Sequence, residues 1–256
     1  MNVLAFFAHP DDETMLAGGT LALLAQNGAQ VHYLCATRGE GGETGEPSVC
    51  SLEELGKYRE QELVCAVQKL GGRSLTLLDY IDPRVGPENQ LFSYTENLTY
   101  LAGEIAATIK QFGIQAVITH GSNGEYGHPA HVTSYQAARL AVETFIDQAL
   151  LFYTVSAQFE GHPKPHLANP DNPAHLVLDI GDVLARKTQA ALCHRSQQAL
   201  FVRRASKEAG RQMSVAEVIM RLESLHRASP VVNGRLDDPL VNALRPWAVQ
   251  EMPLAQ

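Results

Sequence analysis

Residues 1–13 read MNVLAFFAHPDDE, an uncharged apolar run that ends abruptly in one histidine, one proline and three carboxylates. The run from Val3 to Ala8 is typical of a strand buried on both faces of a sheet. From Thr14 onward the letters TMLAGGTLALLA predict a helix. The charged residues therefore lie where a buried strand ends and a helix begins, which is where ligands bind in open α/β sheets.

A helix cap is the simpler explanation of this stretch. A single aspartate can cap a helix by accepting backbone N–H bonds at its start. A cap needs only one such residue and no histidine. We therefore favour a site in which His9 and Asp12, three residues apart on a turn, reach one ion, while Asp11 stays free for proton transfer.

The bulk composition bounds the class of protein. A chain of 256 residues fits one large α/β domain, or one domain with an appended subdomain. The formal charge of -8 argues against a nucleic-acid partner, which would require a basic face. No apolar run approaches the roughly 20 residues of a membrane span, and the first residues lack the features of a signal peptide. We expect no membrane partner and a cytoplasmic location.

The four cysteines are Cys35, Cys50, Cys65 and Cys193, and none of them forms a C-x-x-C pair. A thiolate zinc site or a redox motif is therefore not expected. Cys35 and Cys65 lie in apolar contexts, and we interpret both as plain core residues.

Strands and helices alternate along the chain. Further strands are predicted over 30–36, 75–78, 114–119, 150–155 and 175–180. Further helices are predicted over 51–70, 94–112, 129–148, 182–198 and 215–225. Strand, helix and strand joined by short links form βαβ units, so the sheet is expected to be parallel.

Three loops are candidates for shaping a site. Residues 37–47 are rich in glycine but lack the spacing of a phosphate-binding loop, and we interpret them as a rim or lid. Asp82 follows the third strand and could face the site, although loop aspartates mostly form turns. Residues 158–174 contain His162 and His166 among prolines, which favours a lid or assembly loop over a metal site.

The second informative stretch, residues 120–131, reads HGSNGEYGHPAH and follows the fourth strand. His128 and His131 lie at the start of a helix, just past a parallel strand, as His9 does. Two histidines and one carboxylate with an open position are the ligands of a catalytic zinc site, and Fe2+ fits the same set. Spacing leaves open which of the two later histidines is the ligand. The other would stabilise an oxyanion, a role that suits a protonated imidazole.

Five elements of the sequence, in order, resemble those of the PIG-L/LmbE-like deacetylase family. Residues 8–13 resemble its Ala-His-Pro-Asp-Asp-Glu signature, and residues 124–131 resemble its second Gly-x-x-Gly-His-x-x-His motif. Residues 37–40, 59–62 and 194–197 match further recurring features of the family.

This resemblance implies a Rossmann-like three-layer sandwich with a mostly parallel sheet in a single domain. It also implies zinc-dependent removal of an N-acetyl group from an N-acetylglucosamine-type small molecule, by a monomer or a homo-oligomer. Fe2+ or another divalent metal could take the place of zinc. The matched positions imply the metal ligands His9, Asp12 and His131, the general base Asp11, the oxyanion-stabilising His128 and the sugar-binding Arg59.

One departure from the family pattern concerns the support of the site. The family often has an aspartate between the two histidines of the second motif, where this chain has Pro129 and Ala130. The support that this aspartate gives must come from elsewhere in the chain.

The match runs from residue 3 to about residue 198. We therefore expect a catalytic core over 1–198 and a helical and irregular extension over 199–256, packed on the core. The loops over 38–50, 81–93 and 157–174 are expected to select the substrate.

Three other functions compete with a sugar deacetylase. An amidase could act on another N-acyl substrate, such as a thiol conjugate or an acylated antibiotic. A nucleotide-binding Rossmann protein is disfavoured, because residues 9–13 carry charges that would repel a pyrophosphate. A non-catalytic metal-binding protein would not need Asp11 beside an open metal position.

Overall fold

The central strand, β1 (Asn2–Phe7), is buried on both faces because its side chains alternate between two apolar cores. The odd-numbered residues 3–7 join a core formed with one layer of helices, and the even-numbered residues 4–8 join a second core on the opposite face. This alternation follows from the two-residue period of a strand. It explains why residues 3–8 carry no polar side chain.

A computed structural model describes residues 1–146 and 148–251. The remaining strands are β2 (Gln30–Thr37), β3 (Ser74–Tyr80), β4 (Ala116–Thr119), β5 (Leu151–Val155), β6 (Ala157–Gln158), β7 (Asn169–Pro173), β8 (Leu176–Asp179), β9 (Leu222–Ser229) and β10 (Ala248–Glu251). The helices are α1 (Asp12–Gln26), α2 (Leu55–Leu70), α3 (Leu98–Phe112), α4 (Gly124–Gly127), α5 (Pro129–Phe145), α6 (Leu184–Cys193), α7 (Gln198–Ala209), α8 (Val215–Val218) and α9 (Pro239–Leu244).

Eight strands form one sheet in the order β10-β8-β9-β5-β4-β1-β2-β3. Strands β1 to β5 are mutually parallel, whereas β9 pairs antiparallel with β5 and β8, and β10 pairs antiparallel with β8. Helices α1, α2, α6 and α9 cover one face, and α3 and α5 cover the other. The prediction of a three-layer α/β sandwich with a mostly parallel sheet is confirmed. The first crossover places β2 on one side of β1 and a later one places β4 on the other, which opens a crevice at their carboxyl ends.

The C-terminal segment differs from its prediction. The helix expected over 215–225 ends at Val218, and the strand β9 follows, inserted between β5 and β8. Glu223 concealed this strand from the sequence, because a charged residue next to its start breaks the apolar pattern. Its buried carboxylate accepts hydrogen bonds from the backbone of Gly19 at 2.8 Å and from Lys187 Nζ at 2.7 Å. Residues 199–251 thus contribute the strands β9 and β10 to the sheet, in addition to helices.

The interpretation of Cys65 as a plain core residue is wrong. Cys65 in α2 and Cys193 at the end of α6 form a disulfide, which their separation of 128 residues conceals in the sequence. Cys35 is a free buried thiol. Disulfides persist mainly in oxidising compartments, so the cytoplasmic location stays a prediction.

Several boundaries also shift. The helix predicted over 51–70 begins at Leu55, and the one predicted over 129–148 ends at Phe145, with residue 147 outside the described residues. The helix predicted over 182–198 ends at Cys193, and a turn at 194–197 leads into the separate helix α7. Within the described part of the chain, no helix is long and apolar enough to cross a membrane.

The close packing of α1 on the sheet predicts opposite effects of one substitution at two helical glycines. A Cβ at Gly19 would lie 2.6 Å from three side-chain atoms of Ile180, whereas a Cβ at Gly103 would meet nothing within 4 Å. We expect Gly19→Ala to lower the free energy of unfolding by about 1–3 kcal/mol through overpacking. Gly103→Ala should raise it by about 0.5–1 kcal/mol, because alanine is the better helix former. Urea unfolding of the two variants side by side measures both, and equal effects would contradict this account of α1.

Candidate metal centre

The two histidine-containing stretches meet at the carboxyl edge of the sheet. The chain passes from β1 into α1 through residues 8–11, and from β4 into α5 through residues 120–128. Because β1 and β4 are neighbouring parallel strands, these connections face each other. The ring of His9 lies 5.0 Å from that of His128 and 5.3 Å from that of His131, measured between centroids.

The carboxylate of Asp12 lies between two of these imidazoles. Its Oδ2 accepts the backbone N–H of His9 at 2.9 Å and lies 3.2 Å from His9 Nδ1. Its Oδ1 lies 3.3 Å from His131 Nε2. Asp12 is buried although it is the first residue of α1, so it is not a solvent-exposed cap.

Each of the two imidazoles also contacts a second carboxylate through its other nitrogen. Asp82 Oδ1 lies 3.2 Å from His9 Nε2, and Glu125 Oε2 lies 2.7 Å from His131 Nδ1. Carboxylates in this position orient a metal-binding histidine and fix which nitrogen carries the proton. The second nitrogen of each ring is thereby directed at Asp12.

The electrostatics of the cluster fit a cation. Burial lowers the pKa of His9, but hydrogen bonds to Asp12 and Asp82 outweigh it and raise the pKa to about 9. For His131, the same opposition between burial and the charge of Asp12 raises the pKa to about 10. The neighbouring carboxylates thus favour positive charge at both rings. His131 Nε2 is buried without a hydrogen-bond partner, and a divalent ion would satisfy it and displace both protons.

Two overlapping groups of side chains bring their ligand atoms within 4.8 Å of one another. One group is His9, His128 and His131, and the other is Asp12, His120 and His131. His120 is poorly suited to bind an ion, because its Nε2 accepts the backbone N–H of Ala8 at 3.0 Å.

Asp11 adjoins the cluster in an unusual backbone conformation. Its φ is 112°, in the left-handed region that most side chains avoid. Its backbone N–H donates to Glu13 Oε2 at 2.9 Å, and Glu13 Oε1 lies 3.1 Å from His194 Nε2. Burial raises the pKa of Asp11 to about 6, against the opposing charge of Arg59. A carboxyl group with such a pKa can both accept and return a proton near neutral pH.

Arg59 is buried and lines the cavity beside Asp11. Its Nη2 lies 3.3 Å from Asp11 Oδ2 and donates to the carbonyl of Pro10, while Nη1 donates to the carbonyl of Gly39 at 2.9 Å. Gly39 has φ 68°, and a Cβ there would overlap the guanidinium. Arg59 therefore holds the rim loop and Asp11 together as well as facing the cavity.

The surroundings of His128 favour its neutral form, whereas a protonated imidazole suits the oxyanion role expected from the sequence. Burial and the neighbouring His131 and His9 lower the pKa of His128 to about 3. Its Nδ1 accepts the backbone N–H of Ala130 at 3.2 Å, which caps α5. The ring proton of the neutral form is consequently on Nε2.

These groups line a cavity of about 560 Å³. Of the three loops expected to select the substrate, 38–50 and 81–93 contribute to its lining, and 157–174 does not. In that third loop, Asn169 donates to Ser122 Oγ at 2.8 Å and so supports the turn after β4. His162 is buried, and its Nδ1 accepts the backbone N–H of Lys164.

Sequence reasoning missed the roles of Asp82 and Glu125. Asp82 had only the signal of following a strand, which a turn residue shares. Glu125 lies inside the second motif. Its one signal was indirect, namely the absence of an acidic residue between His128 and His131. In the structure Glu125 takes the place expected of the missing aspartate. Its carboxylate contacts His131 and also lies 3.0 Å from His120 Nδ1.

Known proteins resemble this chain in sequence and in fold. A family model described as PIG-L, GlcNAc-PI de-N-acetylase, matches residues 4–142. A 1D-myo-inositol 2-acetamido-2-deoxy-alpha-D-glucopyranoside deacetylase from Streptomyces avermitilis is 33% identical over 57% of this chain, and the match spans 54% of that protein. A protein of the same description from Mycobacterium sp. strain KMS is 34% identical over 76% of this chain and 73% of its own length.

A solved structure shares the fold. The crystal structure of GalB, the 4-carboxy-2-hydroxymuconate hydratase from Pseudomonas putida KT2440, superposes with a TM-score of 0.62 at 22% identity, covering 92% of this chain and 99% of that one. At this identity the likeness concerns the fold alone. The family model covers more than half of the chain, including both histidine motifs, and the chain therefore belongs to the PIG-L family.

Proposed function

We propose that this protein is a metal-dependent hydrolase that removes the N-acetyl group from an N-acetylglucosamine-type small molecule. The observation that carries the proposal is the buried Asp12 carboxylate between two histidines, with Asp11 beside it at the open cavity. The inositol-linked sugar named for the two bacterial relatives supports this substrate class. An amidase acting on a thiol conjugate or an acylated antibiotic is the second candidate.

We assign the ion to His9, Asp12 and His131, and propose that it is zinc, with Fe2+ or another divalent ion as alternatives. When bound, such an ion polarises the acyl oxygen and lowers the pKa of water. Asp11 accepts a proton from the attacking water and passes it to the departing amine nitrogen. His128 donates from Nε2 to the oxygen that becomes negative when the acyl carbon turns tetrahedral. The products are acetate and the free amino sugar.

The role of Asp11 predicts that catalysis and metal binding can be separated. Asp11→Asn keeps the shape of the side chain and tolerates the left-handed backbone, but it cannot accept the proton. We expect turnover to fall by about 100-fold or more, while the zinc content stays near that of the wild type. Amine release from methyl 2-acetamido-2-deoxy-β-D-glucopyranoside and elemental analysis measure the two properties.

His9→Ala is the matched variant, because it should lose both the metal and the activity. Undiminished hydrolysis by Asp11→Asn would rule out a base at this position. If Asp11→Asn loses zinc together with activity, Asp11 is instead one of the metal ligands.

Glu125 is predicted to hold His131 ready for the ion. Without the carboxylate, the Nδ1–H of His131 loses its hydrogen-bond acceptor, and the ring is no longer held in its orientation. We expect Glu125→Ala to weaken zinc binding by about 10- to 100-fold, the usual effect of removing such a partner. Competition with a chromophoric chelator gives the dissociation constant without relying on activity.

Glu143→Ala, at an exposed helical glutamate paired with Arg139, is the control and should leave zinc affinity unchanged. Thermal unfolding of each metal-free variant separates a loss of affinity from a loss of fold. A folded Glu125→Ala protein with wild-type affinity would contradict this role.

A further inference from the structure

Exposed apolar side chains are concentrated at the opening of the catalytic cavity. Five of them, which we call the apolar mouth, line it: Leu52, Val85, Phe92, Tyr126 and Leu200. They make up half of the ten large hydrophobic side chains that are exposed in the described part of the chain. Exposed apolar side chains grouped around one cavity mark a binding site more often than exposed residues scattered singly do.

The mouth differs in chemistry from the rest of the cavity. The groups that surround the metal centre, among them His9, Asp82 and Arg59, are buried and polar. They suit the hydroxyl and amide groups of an N-acetylated sugar. Of the five side chains of the mouth only Tyr126 has a hydrogen-bonding group, although the exposed Arg84 and Asn89 line the same cavity. A bare sugar therefore leaves the four aliphatic and phenyl side chains of the mouth without a matching partner.

The mouth is assembled from parts of the chain that are far apart in sequence. Leu52 precedes α2, Val85 and Phe92 belong to the loop after β3, and Tyr126 lies in α4. Leu200 comes from the first turn of α7, in the C-terminal segment. Four separate segments thus place exposed apolar side chains at one opening. The packing of any single helix or loop does not account for this.

The aromatic ring of Phe92 is held in place although it is 38% exposed. The backbone N–H of Gly86 donates to the carbonyl of Gln90 at 2.8 Å, which closes the loop. A Cβ on Gly86 would lie 3.0 Å from two carbon atoms of the Phe92 ring. The ring therefore packs on the backbone of its own loop, and little conformational entropy is lost when a ligand covers it.

We propose that the apolar mouth binds an apolar group, about the size of an aromatic ring, that the substrate carries beyond its N-acetylated sugar. This inference rests on the proposed function and specifies its substrate class. A substrate group is favoured over a protein partner because the mouth and the catalytic groups line one concave cavity of about 560 Å³. Concave cavities of this size, which join apolar side chains to polar groups that set orientation, are typical of small-molecule sites.

Binding to the zinc-loaded Asp11→Asn protein tests the inference independently of turnover. Calorimetry compares methyl and phenyl 2-acetamido-2-deoxy-β-D-glucopyranoside. The phenyl group adds five carbon atoms, and covering them should tighten binding by about 10- to 100-fold. Adding Leu200→Ala should reduce this ratio by about 3- to 10-fold, since three carbon atoms of the mouth are lost.

Leu192→Ala is the matched control, because Leu192 and Leu200 are both 46% exposed and Leu192 does not line this cavity. It should leave the phenyl-to-methyl ratio unchanged. Equal affinity for the two glycosides, or no measurable binding of the phenyl glycoside, would overturn the inference. Wild-type protein that binds the phenyl glycoside more tightly but hydrolyses neither would instead overturn the proposed function.

The alternative is that a second copy of this chain covers the mouth. Sedimentation of the wild type and of Leu200→Ala measures the oligomeric state and tests it. An oligomer that Leu200→Ala dissociates, together with equal affinity for the two glycosides, would show that the mouth is an interface between copies and would overturn the inference.

Discussion

The site depends on one electrostatic constraint, the burial of the Asp12 carboxylate against two imidazoles. Asp82 and Glu125 hold the other nitrogens of those rings, so the lone pairs of the neutral rings would face the negative charge of Asp12. Buried acceptors that face one another are unfavourable unless positive charge lies between them. Protons supply it in the metal-free protein, and a divalent ion supplies it in the proposed enzyme.

Two residues next to this cluster have a strained backbone conformation. Asp11 has φ 112° and Glu125 has φ 59°, and neither is glycine. Both are held by hydrogen bonds. The backbone N–H of Asp11 donates to Glu13, and the carboxylate of Glu125 accepts the backbone N–H of Gly121 at 2.8 Å. Strained residues that surrounding contacts maintain are characteristic of functional sites. Glu13, which had no assigned role from the sequence, thus positions the proposed base.

The C-terminal segment belongs to the functional unit. Glu223 joins β9 to α1 and α6 through buried hydrogen bonds, and α1 begins with Asp12. Ser196 donates to Glu62 of α2, and Gln197 lines the cavity. Leu200 also lines the cavity, so the lining continues past the point near residue 198 where the sequence resemblance ends.

The sequence by itself determined the fold class and the meeting of the two histidine motifs. A strand with no charge needs two apolar layers, and parallel neighbours bring their carboxyl ends, and hence His9 and His131, to one edge. Only the tertiary structure decided the partners of these residues. Asp82, Glu125 and Glu223, and the bond between Cys65 and Cys193, depend on contacts between segments far apart in the chain. Local periodicity carries no signal of such contacts, because a buried carboxylate looks like a surface one until its partner is known.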